Sequence, residues 1–362
     1  MPVRILHIVT YMGRGGLETF LMNCYRSLDK SQFQFDFLVH RPFQADYDEE
    51  IRSLGGRIYR IRPLNPLHPG YYRDLISFFR SHPENRIVHC HLDCMSALPL
   101  SAAKACGIPV RIAHAHSSRQ DRDWKYPLKS FFRLWIPKFA THLFACSHAA
   151  GAWTFPNQRF SILHNGMDPE LFRYDPAVRM CLRESLNAEE KYVIGHVGRF
   201  APAKNHRFLL EIFAKLHTAK PNTFLLLVGD GPLRESLQQQ VVKYGLQDSV
   251  CFAGIRDDTA NWYQAMDLFV FPSLYEGFGM AALEAPASGL PCVLSDTIPA
   301  DCIVTDCVTR LSLTASADEW AEHILALPCA KRESRTSEIR SHGFDISQTV
   351  ETLQDFYRKA GA

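Results

Sequence analysis

No stretch of these 362 residues reaches 18 consecutive apolar side chains, so the sequence offers no membrane-spanning helix. The opening residues, MPVRILHIVTYMGRGG, lack the long apolar core and small-residue cleavage site of a secretion signal. The eleven cysteines lack framework spacing, and an odd number of scattered thiols fits a reducing cytoplasm better than a disulfide scaffold. Internal repeats, low-complexity tracts and nucleic-acid-binding motifs are all missing, and the net charge is only +2. What is present is ordinary globular material: 46% hydrophobic and 22% charged residues, enough chain for two domains of about 150–200 residues. The charge is unevenly placed. Residues 1–165 hold 21 Lys and Arg against 12 Asp and Glu, a net +9, and residues 166–362 hold 19 against 26, a net −7. A basic half beside an acidic half suggests that the first half faces something anionic.

Short apolar runs alternate with helical spacing along the whole chain, the pattern of a doubly wound α/β protein. Strands are expected at 4–9, 33–39, 57–61, 87–91, 110–113, 143–146 and 160–163, and again at 192–198, 224–228, 250–254, 268–271 and 292–294. The glycine-rich turn TYMGRGGLE follows the first strand. Gly13, Gly15 and Gly16 resemble a dinucleotide fingerprint, but Glu18 stands at its third position and the second strand runs into His40, not an acid. A nicotinamide site is therefore disfavoured.

His89, Cys90, His91 and Cys94 suggest zinc at first sight. Alternation along a strand puts His89 and His91 on one face and Cys90 on the other, and no second Cys/His pair follows at metal spacing. No metal is expected. AHAHSS (113–118) follows the fifth expected strand and places His116 at the carboxyl edge of a parallel sheet, where such folds bind ligands. Residues 119–138 combine six basic side chains with five aromatics. Leu128, Phe131, Phe132 and Trp135 share one helical face; Lys125, Lys129 and Arg133 share another. The pattern fits an interfacial helix on an anionic membrane. It equally fits a surface helix packed on its own core, the reading we favour.

The stretch FPSLYEGFGMAALE (271–284) carries the clearest chemistry. Gly277 and Gly279 let backbone amides approach a ligand, and the helix start behind them offers unpaired N–H groups suited to phosphate. Glu276 and Glu284 stand on either side, able to accept hydrogen bonds from sugar hydroxyls. Upstream, Arg199 and Lys204 lie five apart at a strand end and helix start, placed to neutralise a diphosphate. A terminal helix with Val350, Leu353, Phe356 and Tyr357 on one face closes the chain.

Read together, GGLE (15–18), AHAHSS, HNGMD (164–168), Gly198-Arg199 with Lys204-Asn205, GDGP (229–232) and SLYEGFGMAALEA resemble family 4 of the retaining glycosyltransferases, notably those of capsular and exopolysaccharide synthesis. The resemblance implies the GT-B fold: two Rossmann-like, doubly wound parallel-sheet domains facing a deep cleft. Residues 1–168 would form the acceptor-side domain, joined by a C-terminal helix (347–362) crossing back, and residues 169–346 the donor domain. It implies no cofactor; the nucleotide-diphosphate sugar, a UDP-sugar by preference, is substrate. Arg199, Lys204 and the amides of Gly15, Gly16, Gly277, Phe278, Gly279 and Met280 would hold the diphosphate, with Ala281 also at the nucleotide sugar. Glu284 would take the ribose, Glu276 and His116 the sugar, and Gly254 with Ile255 the base. The expected acceptor is a saccharide or lipid-linked saccharide, and the expected place is the cytoplasm or the inner membrane surface. A nucleotide-sugar epimerase or hydrolase of the same fold, and a non-catalytic sugar-binding module, are the rival readings.

Overall fold

The computed structural model describes residues 2–119, 126–328 and 332–361. The chain divides into two compact units, residues 1–167 with 343–362, and residues 168–342. Each is a Rossmann-like domain built on one parallel sheet.

The first unit has seven strands: β1 (Val3–Val9), β2 (Phe33–Val39), β3 (Ile58–Arg60), β4 (Ile87–Cys90), β5 (Val110–Ala115), β6 (His142–Ala145) and β7 (Ser161–Ile162). Their order is β3-β2-β1-β4-β5-β6-β7, so the winding reverses between β1 and β4. β2 is buried over its full length, as a central parallel strand covered on both faces must be. The fifth strand is longer than expected. It runs through His114 to Ala115, leaving His116 as the first residue beyond the sheet.

The terminal helix, Ile346–Gly361, belongs to this unit. Val350, Leu353 and Tyr357 lie buried in the same core as Phe20, Phe35 and Phe37. Truncating such a side chain to alanine costs about 2–5 kcal/mol, so the chain's last helix is integral to the first domain. Two polar contacts fix its register: Tyr357 Oη lies 2.8 Å from His89 Nδ1, and Gln354 accepts from the Asp29 amide.

The second unit has six strands: β8 (Tyr192–Val197), β9 (Thr223–Val228), β10 (Val250–Gly254), β11 (Leu268–Phe271), β12 (Cys292–Ser295) and β13 (Val308–Leu311). The order β10-β9-β8-β11-β12-β13 repeats the winding, with the reversal between β8 and β11. In such sheets the crevice beyond the carboxyl ends of the strands at the reversal is where ligands bind.

The helix Tyr126–Phe139 differs from expectation. Ile136 is its buried residue, whereas Phe131, Leu134 and Trp135 are 54%, 63% and 37% exposed. Arg133, expected on a solvated basic stripe, turns inward: Nη1 donates to the Trp153 carbonyl at 2.7 Å and the guanidinium lies 4.8 Å from the Trp153 ring. A carbonyl acceptor and an aromatic face both favour a guanidinium, and the inward turn of Arg133 accompanies the outward position of the apolar side chains. Lys125, assigned to the same stripe, lies outside the described residues.

Candidate active site

In the second unit, the turns leaving β8, β9 and β10 are stitched by main-chain bonds. Gly198 N donates to Val228 O at 3.0 Å, Gly229 N to Gly254 O at 2.8 Å, and Phe200 N to Asp230 O at 2.9 Å. The approach is so close that a Cβ on Gly229, whose φ is +133°, would meet the Gly198 carbonyl at 2.2 Å. This is the structural reason for glycine in GDGP.

Lys204 ends a short 3-10 turn, Pro202–Lys204, and Asn205 in the left-handed region (φ +55°) starts the helix His206–Ala219. The loop after β11 is tied to that turn by Leu274 N donating to Ala203 O at 2.7 Å. The tie brings Glu276 onto Lys204, with Nζ 2.6 Å from Oε1. The same ammonium sits 4.8 Å from the Phe271 ring. Thus two side chains 72 positions apart in sequence meet at the β8–β11 reversal.

Gly279, at φ +88°, turns the loop into a short helix, Ala281–Ala287, with Pro286 in its last turn. Phe278 and Ala281 are buried, so their backbone is what a ligand can reach; Gly277, Gly279 and Met280 are partly open. Glu284 is half-buried and accepts a hydrogen bond from Tyr263 Oη at 2.8 Å. Burial raises its pKa, while the Tyr263 bond and the Lys204 charge pull it back. Tyr263 itself is fully buried. Arg199 is exposed, and among the described residues no carboxylate pairs with it. Gly254 (φ +75°) and the exposed Ile255 form the turn after β10.

The first unit holds the remaining candidates. Gly15 caps the helix Gly16–Ser27, and a Cβ on it would meet Glu18 Oε2 at 2.3 Å. Glycine at 15 therefore lets the Glu18 carboxylate fold back over the helix start. Nothing lies within 4 Å of the corresponding position on Gly16. His116 is half-buried; its backbone amide donates to Asp93 Oδ1 at 2.8 Å, and Ser117 Oγ donates to Asp93 Oδ2 at 2.7 Å. Burial pushes the His116 pKa down to about 3, so the ring is neutral at ordinary pH and acts as a hydrogen-bonding group.

Sequence reasoning missed three things here. Asp93, at φ +44°, positions His116 from a different strand end. Tyr263 orients Glu284 from a preceding helix. Finally, His89 and His91 have imidazole neighbours, but on adjacent strands: His7 on β1 and His114 and His116 at the end of β5. The only sequence signal for this cluster is an H-x-H spacing repeated at two strand ends.

Known proteins resemble this chain along almost its whole length. Residues 14–171 match the profile described as Glycosyltransferase Family 4, and residues 181–337 the profile described as Glycosyl transferases group 1. The EpsF protein of Bacillus subtilis (strain 168), itself an inferred glycosyltransferase, is 37% identical over 98% of this chain and 96% of its own. An Escherichia coli enzyme, UDP-Gal:alpha-D-GlcNAc-diphosphoundecaprenol alpha-1,3-galactosyltransferase, is 24% identical over the same shares. Among solved structures, Anabaena HepE in complex with UDP-glucose superposes with a TM-score of 0.81 at 20% identity, covering 98% of this chain and 99% of that one.

Proposed function

The chain belongs to the GT-B glycosyltransferases of family 4 and group 1, and on that premise we propose that it is a retaining, metal-independent enzyme of cell-surface polysaccharide synthesis. It moves a sugar from a nucleotide-sugar donor to an acceptor. We assign the donor as a UDP-sugar and the acceptor as a lipid-linked saccharide, the pair named for the Escherichia coli relative. The place of work is the cytoplasmic face of the membrane, supported by the +9 charge of residues 1–165 and by the outward Phe131, Leu134 and Trp135.

The observation that carries the reading is the Lys204–Glu276 contact at the β8–β11 reversal, with Glu284 beside it. An ammonium has three donors, so Lys204 can keep Glu276 and still bond two phosphate oxygens. Arg199 adds a planar, permanently charged fork. Their charge stabilises the diphosphate as it leaves, in place of a divalent cation. Glu276, held by Lys204, accepts from the transferred sugar's hydroxyls, and Glu284, oriented by Tyr263, accepts from the ribose. The amides of Gly277–Ala281 complete the diphosphate site of the second unit; in the first unit, the amides of Gly15 and Gly16 are themselves suited to phosphate. His116 addresses the sugar, and Gly254 with Ile255 the base.

A donor that binds the folded state raises its melting temperature, since binding at about 100 times Kd stabilises by about 2.7 kcal/mol. A thermal screen of UDP- and GDP-sugars should single out one UDP-sugar, with the shift lost in Lys204→Ala. A chain that no nucleotide sugar stabilises would not be this enzyme. A hydrolase or epimerase of the same fold would convert the donor with no acceptor supplied.

A further inference from the structure

We propose that His91, His114 and His116 form a binding site for a borderline divalent transition-metal cation, Zn2+ being the ion best suited to it. The basis is the register of the first sheet. β4 and β5 pair in parallel with His89 beside Ile112 and Cys90 beside Ala113, and β1 pairs with β4 with His7 beside His89. Imidazoles from three neighbouring strands therefore crowd one face. His7 Nδ1 lies 3.0 Å from His91 Nε2, His91 Nδ1 2.9 Å from His116 Nε2, and His89 Nε2 3.2 Å from His114 Nδ1. One ring nitrogen each from His91, His114 and His116 falls within 4.8 Å of the other two.

Proton accounting shows that hydrogen bonding alone does not satisfy this cluster. A neutral imidazole has one donor and one acceptor. The series His7–His91–His116 consequently leaves an N–H at one end or the other, and among the described residues neither His7 Nε2 nor His116 Nδ1 has a partner. His114 Nε2, on a side chain 1% exposed, is likewise buried without one. Two of the three proposed ligands, His114 and His116, thus carry an unmet ring nitrogen, and His91 keeps His7 on Nε2 while turning Nδ1 toward His116.

The geometry suits a tetrahedral ion. With Zn–N bonds of about 2.0–2.1 Å, ligand nitrogens stand about 3.4 Å apart; His91 Nδ1 and His116 Nε2 now stand 2.9 Å apart, and His114 offers a nitrogen within 4.8 Å of one from each. His89 beside His114, and His7 beside His91, would be the outer hydrogen-bond partners that orient metal-binding imidazoles. A second trio, His7, His89 and His91, is fully buried and shares His91. Only the outer trio includes a half-exposed member, His116, through which an ion can enter. An all-imidazole set selects Zn2+, Cu2+, Ni2+ or Co2+ over Mg2+ and Ca2+. Ion binding takes no part in transfer. Because a ligated His116 cannot also address the donor sugar, Zn2+ should inhibit turnover; that consequence, unlike the binding, rests on the function proposed above.

The test uses the full-length protein without a histidine tag, stripped with chelator and titrated with Zn2+ against a chromophoric indicator. We expect about one equivalent bound, unmoved by excess Mg2+ and weakened at least tenfold in His116→Gln, with the exposed control His148→Gln unchanged. X-ray absorption on the Zn2+-loaded wild type needs no variant to fold and should show three imidazole nitrogens at about 2.0 Å. Failure to bind a stoichiometric equivalent, equal binding by His116→Gln, or sulfur in the coordination shell would each overturn the site. Stoichiometric binding without inhibition would uphold the site and remove His116 from the sugar.

Discussion

At Lys204 a single side chain joins the ion pair, the aromatic face of Phe271 and the proposed phosphate contact. Lys204→Ala should therefore cut turnover at least 100-fold, because a charge-assisted contact strengthened in the transition state is worth about 3 kcal/mol. Arg199→Ala should do the same with almost no loss of stability, since that side chain is exposed. Steady-state rates alongside urea unfolding check both; a well-folded double variant with near-normal turnover would remove the diphosphate assignment. The two glutamates should separate. A ribose contact through Glu284, as proposed, would be made equally in ground and transition states, so Glu284→Gln should weaken UDP binding and leave kcat largely intact. Glu276→Gln should lower kcat. UDP titration and initial rates distinguish them, and the reverse pattern would mean the roles are exchanged.

Among the elements, the stitched turns of the second sheet carry the most precise constraint. Gly229→Ala places a Cβ against backbone at a φ that side chains rarely adopt, so it should destabilise the protein by more than about 2 kcal/mol. A urea midpoint unchanged by the substitution would contradict the described turn. The helix Tyr126–Phe139 supports a different expectation. Replacing Phe131, Leu134 and Trp135 with serine should weaken binding to anionic vesicles at least tenfold while leaving the fold intact, because these side chains are exposed already. If the wild type stays in the supernatant at low salt, the face has another purpose.

How far the elements could be read from sequence depended on what held them. β11 is an unbroken apolar run, and β2, FQFDFLV, sets apolar side chains at every other position and at its end; the limits of both were legible to the residue. β13, VTRL, is a half-exposed edge strand with little apolar signal, and it went unread. The helix at 126–139 has apolar residues on more than one face, and Arg133 meeting Trp153, a long-range contact, decides which face turns in. Local motifs named Lys204, Glu276 and Glu284. Their partners Tyr263 and Asp93, and the imidazole cluster across β1, β4 and β5, exist only once strands pair.

For the molecule as a whole, buried histidines set an acid limit. His196 and His206 are fully buried, and burial lowers their pKa to about 3 and about 2. Unfolded, each titrates near 6.5. Between those values the unfolded chain binds more protons, so stability falls as pH drops below about 6.5. At pH 5.5 each of the two should account for about 1.4 kcal/mol of that loss. Urea midpoints at pH 7.5 and 5.5 should show the fall; equal midpoints would mean that one or both rings are already solvated in the native state. Transfer itself is tested most directly by supplying the UDP-sugar found in the thermal screen with a lipid-linked saccharide and following the products by NMR. The account predicts UDP release that depends on the acceptor, and a new glycosidic bond with the donor's anomeric configuration kept. UDP released equally without acceptor, or an inverted anomer, would contradict it.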